Sequence, residues 1–376
     1  MKTPLAWRNL AHHKIRSLVA LCGISFAILL VFMQLGFYAA AQSSATSVYN
    51  ALDFDVLVLS SQYVFVARPA DFSRARLEQV RSIQGVESLV PVWMAIGEWR
   101  NPETRERWNV LTLGVDPEQH PFRDPAVNER FSLLMPRDTA LMDLLARPEQ
   151  GHLAPGVTSE VQHHRVRIVG QYAIGGGFVA EGTLLTSRDT FLEVFKQASS
   201  DRINIGLVKT APGVSARAVA DEIKARLWPI ATALIRADNA KAEQNFWLKV
   251  KPIGIMFTSG VLVALVAGAV ILYQVLASEV QNRLREYATL RALGYDTAFV
   301  YGIVVRQALL FSGLGFIPAF FFAMGLYFLL RTQAMVPVRM ELTRVIGVLV
   351  LTSVMGLSAT FLAIRKLRRA DPAELF

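Results

Sequence analysis

Few residues of this sequence have the types and spacing that catalytic or metal chemistry requires. Two adjacent histidine pairs stand at His12–His13 and His163–His164. Neighbouring side chains point to different sides of a helix or a strand, and neither pair has a cysteine or an acidic residue at ligand spacing, so we expect no metal site. The single cysteine, Cys22, lies in an apolar segment and cannot form an internal disulfide, so we expect it to pack there.

Nucleotide chemistry is not indicated either. The phosphate-binding pattern G-x-x-x-x-G-K-[ST] is absent, and Gly175–Gly177 lacks the lysine and the hydroxyl residue that would hold phosphate and magnesium. This triplet predicts a tight turn instead. No Ser/His/Asp set and no G-x-S-x-G elbow is found, so we expect a protein that is not an enzyme and that uses no cofactor.

The charged stretch EYATLRALGY, Glu286–Tyr295, is the candidate functional segment. Apolar residues recur on one side of 279–293 and charged residues lie elsewhere, which predicts a short amphipathic helix. Gly294 suits the position just after a helix end, and Asp296 can cap the following helix. Such a helix could dock in a groove of a partner protein and transmit movement. A solvated hairpin loop is the alternative.

Four apolar segments surround and position this stretch. The chain has 376 residues, 53% hydrophobic and 18% charged, whereas a soluble protein has about 25% charged residues. A bilayer core needs about 20 apolar residues in a helix. The runs that meet this length predict transmembrane helices at 18–41, 252–278, 298–330 and 345–364.

The positive charge predicts the orientation of these helices. The formal net charge is +9. Segments 1–17, 279–297 and 365–376 together hold eleven basic and five acidic residues, and four spans place all three on one side. Basic loops face the cytoplasm, so we expect both termini there and no nucleic-acid partner. Ala39–Ala41 would fit signal-peptide cleavage, but the apolar run is long for a signal and its removal would leave three spans.

The remaining segments have simpler predictions. Residues 1–17 form a basic amphipathic stretch that we expect to lie as an interfacial helix on the cytoplasmic surface, against membrane lipids. Segment 331–344 is predicted to be a short periplasmic loop, and 365–376 a basic cytoplasmic tail. Arg306 lies close to the start of the third span, where it is either a functional charge in the membrane or, as we favour, snorkels to the surface.

Residues 42–251 have ordinary soluble composition and predict a large external domain. DFDVLVLSS and RINIGLVKT each begin a β-α-β pattern, so the two can pair in one mixed α/β subdomain. NVLTLGV, HRVRIVGQYAI and GTLLTS predict an inserted β-rich part between them. The segments 42–52 and 239–250 either continue the spans outward as stalk helices or anchor at the interface through Trp247 and Lys249. The predicted fold is a four-helix transmembrane protein with a mixed α/β periplasmic domain inserted between helices 1 and 2.

Several stretches resemble the DevC-type permeases of the FtsX/MacB-like, or type VII, ABC transporter family. The signature-like stretch is LREYATLRALGY, and the opening AWRNLAHHKIRSLVALCGISFA is also similar. Further similarity lies in NPETRERWNVLTLGVDP, FWLKVKPIGIMF, VILYQVL, GLGFIPAF and RKLRRADPAELF, so it covers nearly the full length. One departure is Arg306–Gln307, where we expect an acidic residue in this family, which leaves a carboxylate role there without support.

The resemblance implies a function that spacing does not show. Segment 279–297 would be the coupling helix that contacts a separate ABC ATPase, and 42–251 a MacB-like periplasmic domain that contacts an adaptor. The chain would act as a homodimer in the bacterial inner membrane, driving efflux, as in glycolipid export, through the adaptor and an outer-membrane channel. The residues expected to face the ATPase or shape the helix are Arg283, Glu286, Leu290, Arg291, Leu293, Gly294 and Tyr295.

Other functions fit parts of this pattern. A mechanotransmitter of the same fold could release lipoproteins or regulate a cell-wall hydrolase, although the size of the external domain argues mildly against the hydrolase. A membrane-anchored sensor that binds a ligand externally is a third hypothesis, and the resemblance of EYATLRALGY to a coupling motif argues against it.

Overall fold

The computed structural model describes residues 14–175, 177, 180–282, 286, 289 and 293–369. Its elements, in chain order, are α1 (Lys14–Ala51), β1 (Val56–Ser60), β2 (Phe72–Ser73), α2 (Arg74–Glu78), β3 (Val86–Arg100), β4 (Arg107–Val115), α3 (Pro125–Glu129), β5 (Thr139–Asp143), β6 (Thr158–Val161), β7 (His164–Tyr172), β8 (Thr183–Ser187), α4 (Arg188–Val194), β9 (Arg202–Ile203), β10 (Ile205–Thr210), α5 (Ala216–Leu227), β11 (Ala231–Ile235), α6 (Arg236–Asn245), α7 (Ile253–Asn282), α8 (Thr297–Gln333) and α9 (Leu342–Arg369).

Four of these helices are long and apolar enough to cross a membrane. Each of α1, α7, α8 and α9 contains at least 18 residues of suitable hydropathy. The chain is therefore a multi-pass membrane protein, as the sequence predicts. α7, α8, α9 and the part of α1 up to Ala40 form one compact unit, and residues 41–252, which include the end of α1, form a second, inserted unit.

The membrane unit is held together by apolar side chains and by glycines where helices approach closely. Phe32 of α1 is fully buried, with its ring centroid 5.6 Å from that of Phe316 on α8. A Cβ on Gly315 would lie 2.8 Å from Ile24 Cγ2, so α1 and α8 meet where α8 has no side chain. Such small-residue contacts replace the hydrophobic effect as the basis of helix association in lipid.

The inserted domain is built on one nine-stranded sheet. Its strand order is β11-β1-β10-β3-β4-β8-β5-β7-β6, and β6 pairs back with β3, so six strands close on themselves. The long strand β3 belongs to both parts: Val86–Val92 pairs with β10, while Trp93–Arg100 pairs with β4. Helices α2 and α5 cover one face of the open part, with Val219 and Ile223 of α5 in a shared apolar core.

The main strand predictions are confirmed. β1, β7, β8 and β10 lie within the stretches that alternation and β-branched composition indicate, β4 begins two residues before its predicted stretch, and β1 and β10 are neighbours in the sheet. β1 and β8 are buried along their whole length, which explains their continuous apolar runs, whereas burial alternates along β7. α5 begins where Ser215 Oγ accepts a hydrogen bond from the N–H of Ala218, an N-cap that the sequence shows directly.

Two expectations about the membrane-proximal segments need correction. Residues 42–51 are helical and belong to α1, but the second segment does not run on into α7. α6 is followed by a π-helix at Phe246–Val250, and Lys251 then takes an extended conformation before α7 begins. Trp247 is not an interfacial anchor: its side chain is buried, 5.6 Å from the ring centroid of Phe65.

Candidate functional site

The segment that joins α7 to α8 contains the predicted coupling residues. Within it, Glu286 and Thr289 are helical, and the N–H of Leu293 donates to the carbonyl of Thr289 over 3.0 Å. Leu293 and Gly294 then form a turn before α8. Arg283, Leu290 and Arg291, which were predicted to belong to this site, lie outside the described residues.

Gly294 has a conformation that other residues adopt at a cost. Its φ is +90°, in the left-handed region. A Cβ placed on Gly294 would meet nothing within 4 Å, so the restriction comes from the backbone and not from packing. This agrees with the expected position just after a helix end. A β-branched residue here would therefore change the direction of the chain between α7 and α8.

The turn exposes apolar side chains. Leu293 is 72% exposed and Tyr295 48% exposed, and the Tyr295 ring stacks on Phe299 with a centroid distance of 4.8 Å. Of these two exposed residues, tyrosine is a type that is enriched in protein–protein interfaces. The contact with Phe299 restricts the orientation of the Tyr295 ring.

Two further sequence predictions concern Asp296 and Arg306, which lie near this turn. Asp296 occupies the N-cap position of α8, but its side chain accepts no hydrogen bond there; only its carbonyl does, from the N–H of Phe299. The predicted side-chain cap is therefore wrong. Arg306 is exposed on α8, whereas the adjacent Gln307 is buried among the membrane helices. The expectation that Arg306 snorkels stays a prediction.

Sequence reasoning missed two buried acids of the inserted domain. Asp143 is fully buried at the end of β5, and its carboxylate accepts hydrogen bonds from Thr183 Oγ1 at 2.8 Å and from the N–H of Gly175 at 2.7 Å. Burial raises the pKa of Asp143 despite these bonds. Gly175 and Gly177 both have positive φ, as the predicted tight turn requires. Asp143 thus anchors this turn, but the contact spans about 30 residues and has no local signature.

The second missed acid, Glu243, lies on α6. Its carboxylate accepts hydrogen bonds from Tyr63 Oη and, at 3.3 Å, from the N–H of Val66. The Tyr63 hydroxyl is in turn 2.5 Å from that of Tyr49 on α1. Burial is the main cause that raises the pKa of Glu243 to about 7. The group ties three separate segments of the inserted domain together.

The histidine pairs give no metal site in the part of the chain that is described. His164 Nε2 is 2.6 Å from Asp138 Oδ1 in an ordinary surface contact. Over the described residues, no three side chains of histidine, cysteine, aspartate and glutamate converge. His12 and His13 lie outside them.

Comparison with known proteins identifies the membrane part. Residues 258–372 match the family of FtsX-like permease C-terminal domains. The matched range begins in α7, includes the turn at Gly294 and ends after α9, so the candidate site lies inside it. The match supports a permease of the ABC transporter type.

Solved structures similar to the chain come from extracytoplasmic domains of transporters. The periplasmic region of MacB from Actinobacillus actinomycetemcomitans is 10% identical, with a TM-score of 0.36, and the match covers 52% of this chain and 94% of that one. The extracellular domain of the noncanonical ABC-type transporter YknZ from Gram-positive bacteria is 11% identical, with a TM-score of 0.33, over 48% of this chain and 98% of that one. No curated protein matches the chain.

Proposed function

We propose that the chain is the membrane permease subunit of a tripartite ABC exporter of the DevC type, acting as a homodimer in the bacterial inner membrane with both termini in the cytoplasm. The single observation that supports this most is the FtsX-like permease match over residues 258–372, which includes an exposed apolar turn at Leu293–Tyr295. A separate ATPase binds this turn from the cytoplasm. ATP-driven closure of the ATPase then moves α7 and α8.

The inserted domain receives this movement in the periplasm. There it drives a cargo, a lipid or a glycolipid, through a periplasmic adaptor and an outer-membrane channel. The size of the inserted domain, residues 41–252, leaves room for both cargo and adaptor contacts. In this mechanism the permease catalyses nothing itself and acts through the direction of its helices, so the geometry of the turn at Gly294 controls the coupling.

Purification from native cells in mild detergent, followed by mass spectrometry, tests the assembly. Recovery of an ABC ATPase together with a periplasmic adaptor is the expected result. An ATPase recovered with a lipoprotein chaperone or a cell-wall hydrolase would keep the fold and replace the exporter function. Recovery of no ATPase after cross-linking would contradict the coupling role of segment 279–297.

Substitution of Gly294 tests the coupling step itself. Gly294→Val forces a β-branched residue into φ +90°, a strain of about 1–3 kcal/mol, with no steric clash. We expect ATP hydrolysis to continue while export falls, measured on the compound that accumulates when the permease is deleted. Gly213→Val is the matched control, because Gly213 also has a positive φ of +83° and open space but lies in the inserted domain. Normal export from stably inserted Gly294→Val would refute the proposal.

A further inference from the structure

An open cleft in the inserted domain lies beside the middle of β3, past the point where the pairing of β3 with β10 ends. Its volume is about 960 Å³, within the range of ligand-binding sites. The floor is the middle of β3, Met94–Ile96. One wall is the loop 62–71, and the other is 191–204 with the end of α4. The coupling proposed for the turn at Gly294 does not depend on this cleft.

One edge of β3 has no strand partner along the cleft floor. β10 pairs with β3 only as far as Val92, which faces Ile205. β6 begins to pair with β3 only at Trp99, which faces Val161. Over the strands that the structure describes, none covers this edge between Val92 and Trp99. The gap is long enough for about three or four residues of an added strand.

The ladder between β3 and β4 shows which backbone groups face the gap. Ile96 stands opposite Leu111 of β4, and the Leu111 N–H donates to the Gly182 carbonyl at 3.0 Å, on the other side of β4. Opposed residues of an antiparallel pair either exchange both backbone hydrogen bonds or neither. The N–H and C=O of Ile96 therefore point away from β4 and into the cleft.

Each neighbour of Ile96 on this edge has one backbone group that is already hydrogen-bonded. The Met94 N–H donates to Asn204 Oδ1 at 2.8 Å, and the Glu98 carbonyl accepts from the Gln162 N–H at 3.1 Å. The described residues supply no such partner for the backbone of Ile96. A free donor and a free acceptor on a strand edge are the groups that pair with an extended peptide.

The cleft walls add charge and apolar surface. The basic side chains Arg68, Lys196 and Arg202 line it with a single acid, Asp71. Arg202 is paired with Asp71 at 2.5 Å and Lys196 with Glu193 at 2.6 Å, whereas Arg68 has no ion pair among the described residues. A ligand that places a carboxylate beside Arg68 would complete the charge balance.

The walls also have an apolar part, which could contact apolar side chains on either side of the acidic residue of the ligand. Val64 is 46% exposed in the cleft, and Phe195 and Ala95 are half-buried beside it. An extended chain presents successive side chains to opposite faces, so an acidic residue and apolar neighbours can meet different walls. An acyl chain would cover the apolar surface but would leave the N–H and C=O of Ile96 unpaired.

We propose that this cleft binds an extended polypeptide segment of a partner protein, which adds to β3 at Ile96 as a short strand and places an acidic side chain beside Arg68. The inference goes beyond the proposed function, since a strand could be supplied by any protein that meets the inserted domain. Its failure would leave the ATPase coupling at Gly294 untouched, and failure of the coupling would leave the peptide test unchanged.

The test uses the full chain in detergent and a fluorescent peptide, Thr-Val-Glu-Val-Thr, with binding read by fluorescence anisotropy. Two further peptides carry N-methyl groups, one on the central residue and one on both of its neighbours. Only alternate N–H groups of a strand face β3, so one of the two methylations should weaken binding about tenfold, and the other should have little effect. Equal effects of the two methylations would overturn the proposal.

Chain variants locate the binding site. Arg68→Glu should weaken peptide binding about tenfold or more, and a peptide with glutamine in place of glutamate should lose the difference between the wild type and this variant. Arg76→Glu is the matched control, because Arg76 is exposed on α2 outside the cleft and should change binding little. Absence of saturable binding below about 1 mM, or displacement by dodecanoate and not by unlabelled peptide, would overturn the proposal.

Discussion

The membrane unit and the inserted domain treat buried polar groups differently. In the inserted domain Asp143 and Glu243 are buried carboxylates, each with several hydrogen-bond donors. Among the described residues of the membrane unit, no carboxylate is buried: the buried polar residues are the neutral Gln307, Ser312, Thr352 and Thr360, and the one charged side chain that is nearly buried is a guanidinium, that of Arg344 at 7% exposed. The inserted domain folds from water, so hydrogen bonds in the folded state can offset the free-energy cost of burying a carboxylate. The membrane helices associate within lipid, which is as apolar as the interior of the helix bundle. Their association therefore depends on how closely their surfaces pack.

The largest expected difference between the two regions concerns buried phenylalanines. Phe131 of the inserted domain and Phe32 of α1 are both buried, each 5.6 Å from a second ring, Phe122 and Phe316 respectively. Phe131→Ala should lower the free energy of unfolding by about 4 kcal/mol, since it loses transfer from water and leaves a cavity. Phe32→Ala should lower it by only about 2 kcal/mol, because the unfolded helix stays in apolar lipid and only the cost of the cavity remains.

Two unfolding experiments measure this pair. Urea titration with tryptophan fluorescence reports on the inserted domain, and titration with sodium dodecyl sulfate from lipid–detergent micelles reports on the membrane helices. An equal loss of stability in both variants would contradict this prediction, because it would mean that Phe32 is exposed to water, and not to lipid, in the unfolded state.

Arg236 should show the next largest effect. Its guanidinium donates to the carbonyls of Leu52 at 2.7 Å, Phe54 at 2.8 Å and Tyr49 at 3.1 Å, and it lies 4.0 Å from the centre of the Phe54 ring. Arg236→Ala leaves three carbonyls unpaired, so we expect a loss of about 3 kcal/mol in urea titration. Arg236→Lys should retain only part of this stability, because a lysine ammonium cannot donate hydrogen bonds in the planar, forked geometry of a guanidinium.

An exposed arginine provides the control for this variant. Arg217 forms an ion pair of 2.9 Å with Asp238, but its side chain is 59% exposed. Arg217→Ala should therefore change the free energy of unfolding by less than about 1 kcal/mol. A loss as small in Arg236→Ala would show that the three carbonyls find other partners.

Glu243 should make the inserted domain less stable as the pH rises. Its pKa is raised from 4.5 in the unfolded chain to about 7 in the folded protein. Between these values the folded state holds a proton that the unfolded state has lost. The contribution to stability is therefore present below about pH 4.5 and lost as the pH rises to 7, by about 3 kcal/mol in total. The neighbouring hydroxyls of Tyr63 and Tyr49 stay neutral throughout.

Glu243→Gln tests this pH dependence. The amide keeps an acceptor for Tyr63 but does not ionise, so the difference between the urea midpoints at pH 5 and pH 8 should shrink. Asp143, whose pKa is also raised by burial, has the same sign and remains in both proteins. The comparison between variant and wild type isolates Glu243, and an unchanged difference would show that the carboxylate is ionised at pH 5.

The smallest effect is expected from a hydroxyl in the membrane unit. Tyr327 Oη donates to the carbonyl of Phe32, and Tyr172 Oη of the inserted domain donates to Thr183 Oγ1 at 2.7 Å. Tyr327→Phe should cost about 0.6 kcal/mol, as hydrogen bonds between membrane helices do on average. Tyr172→Phe should cost about 1 kcal/mol or more, since Thr183 also supports Asp143. The reverse order would contradict the comparison.

The sequence predicts local features of this protein better than its long-range contacts. The four membrane helices and the strands around Val56–Ser60 and Ile205–Thr210 follow from apolar runs and alternation. Gly294 follows from its position after an amphipathic stretch. The gap in β3 at Ile96 does not, because it depends on where β10 and β6 end. The burial of Trp247 and Glu243 was missed for the same reason, since their partners lie about 180 residues away.

The central claim is that the turn at Leu293–Tyr295 binds an ABC ATPase, and site-specific photocross-linking in native cells tests it most directly. A photoreactive phenylalanine replaces Leu293, and in a second strain Leu262, which is 63% exposed on the apolar part of α7. An ABC ATPase, identified by mass spectrometry, should be cross-linked at position 293 and not at 262. Capture of no ATPase at 293, from a chain that is inserted and stable, would contradict it.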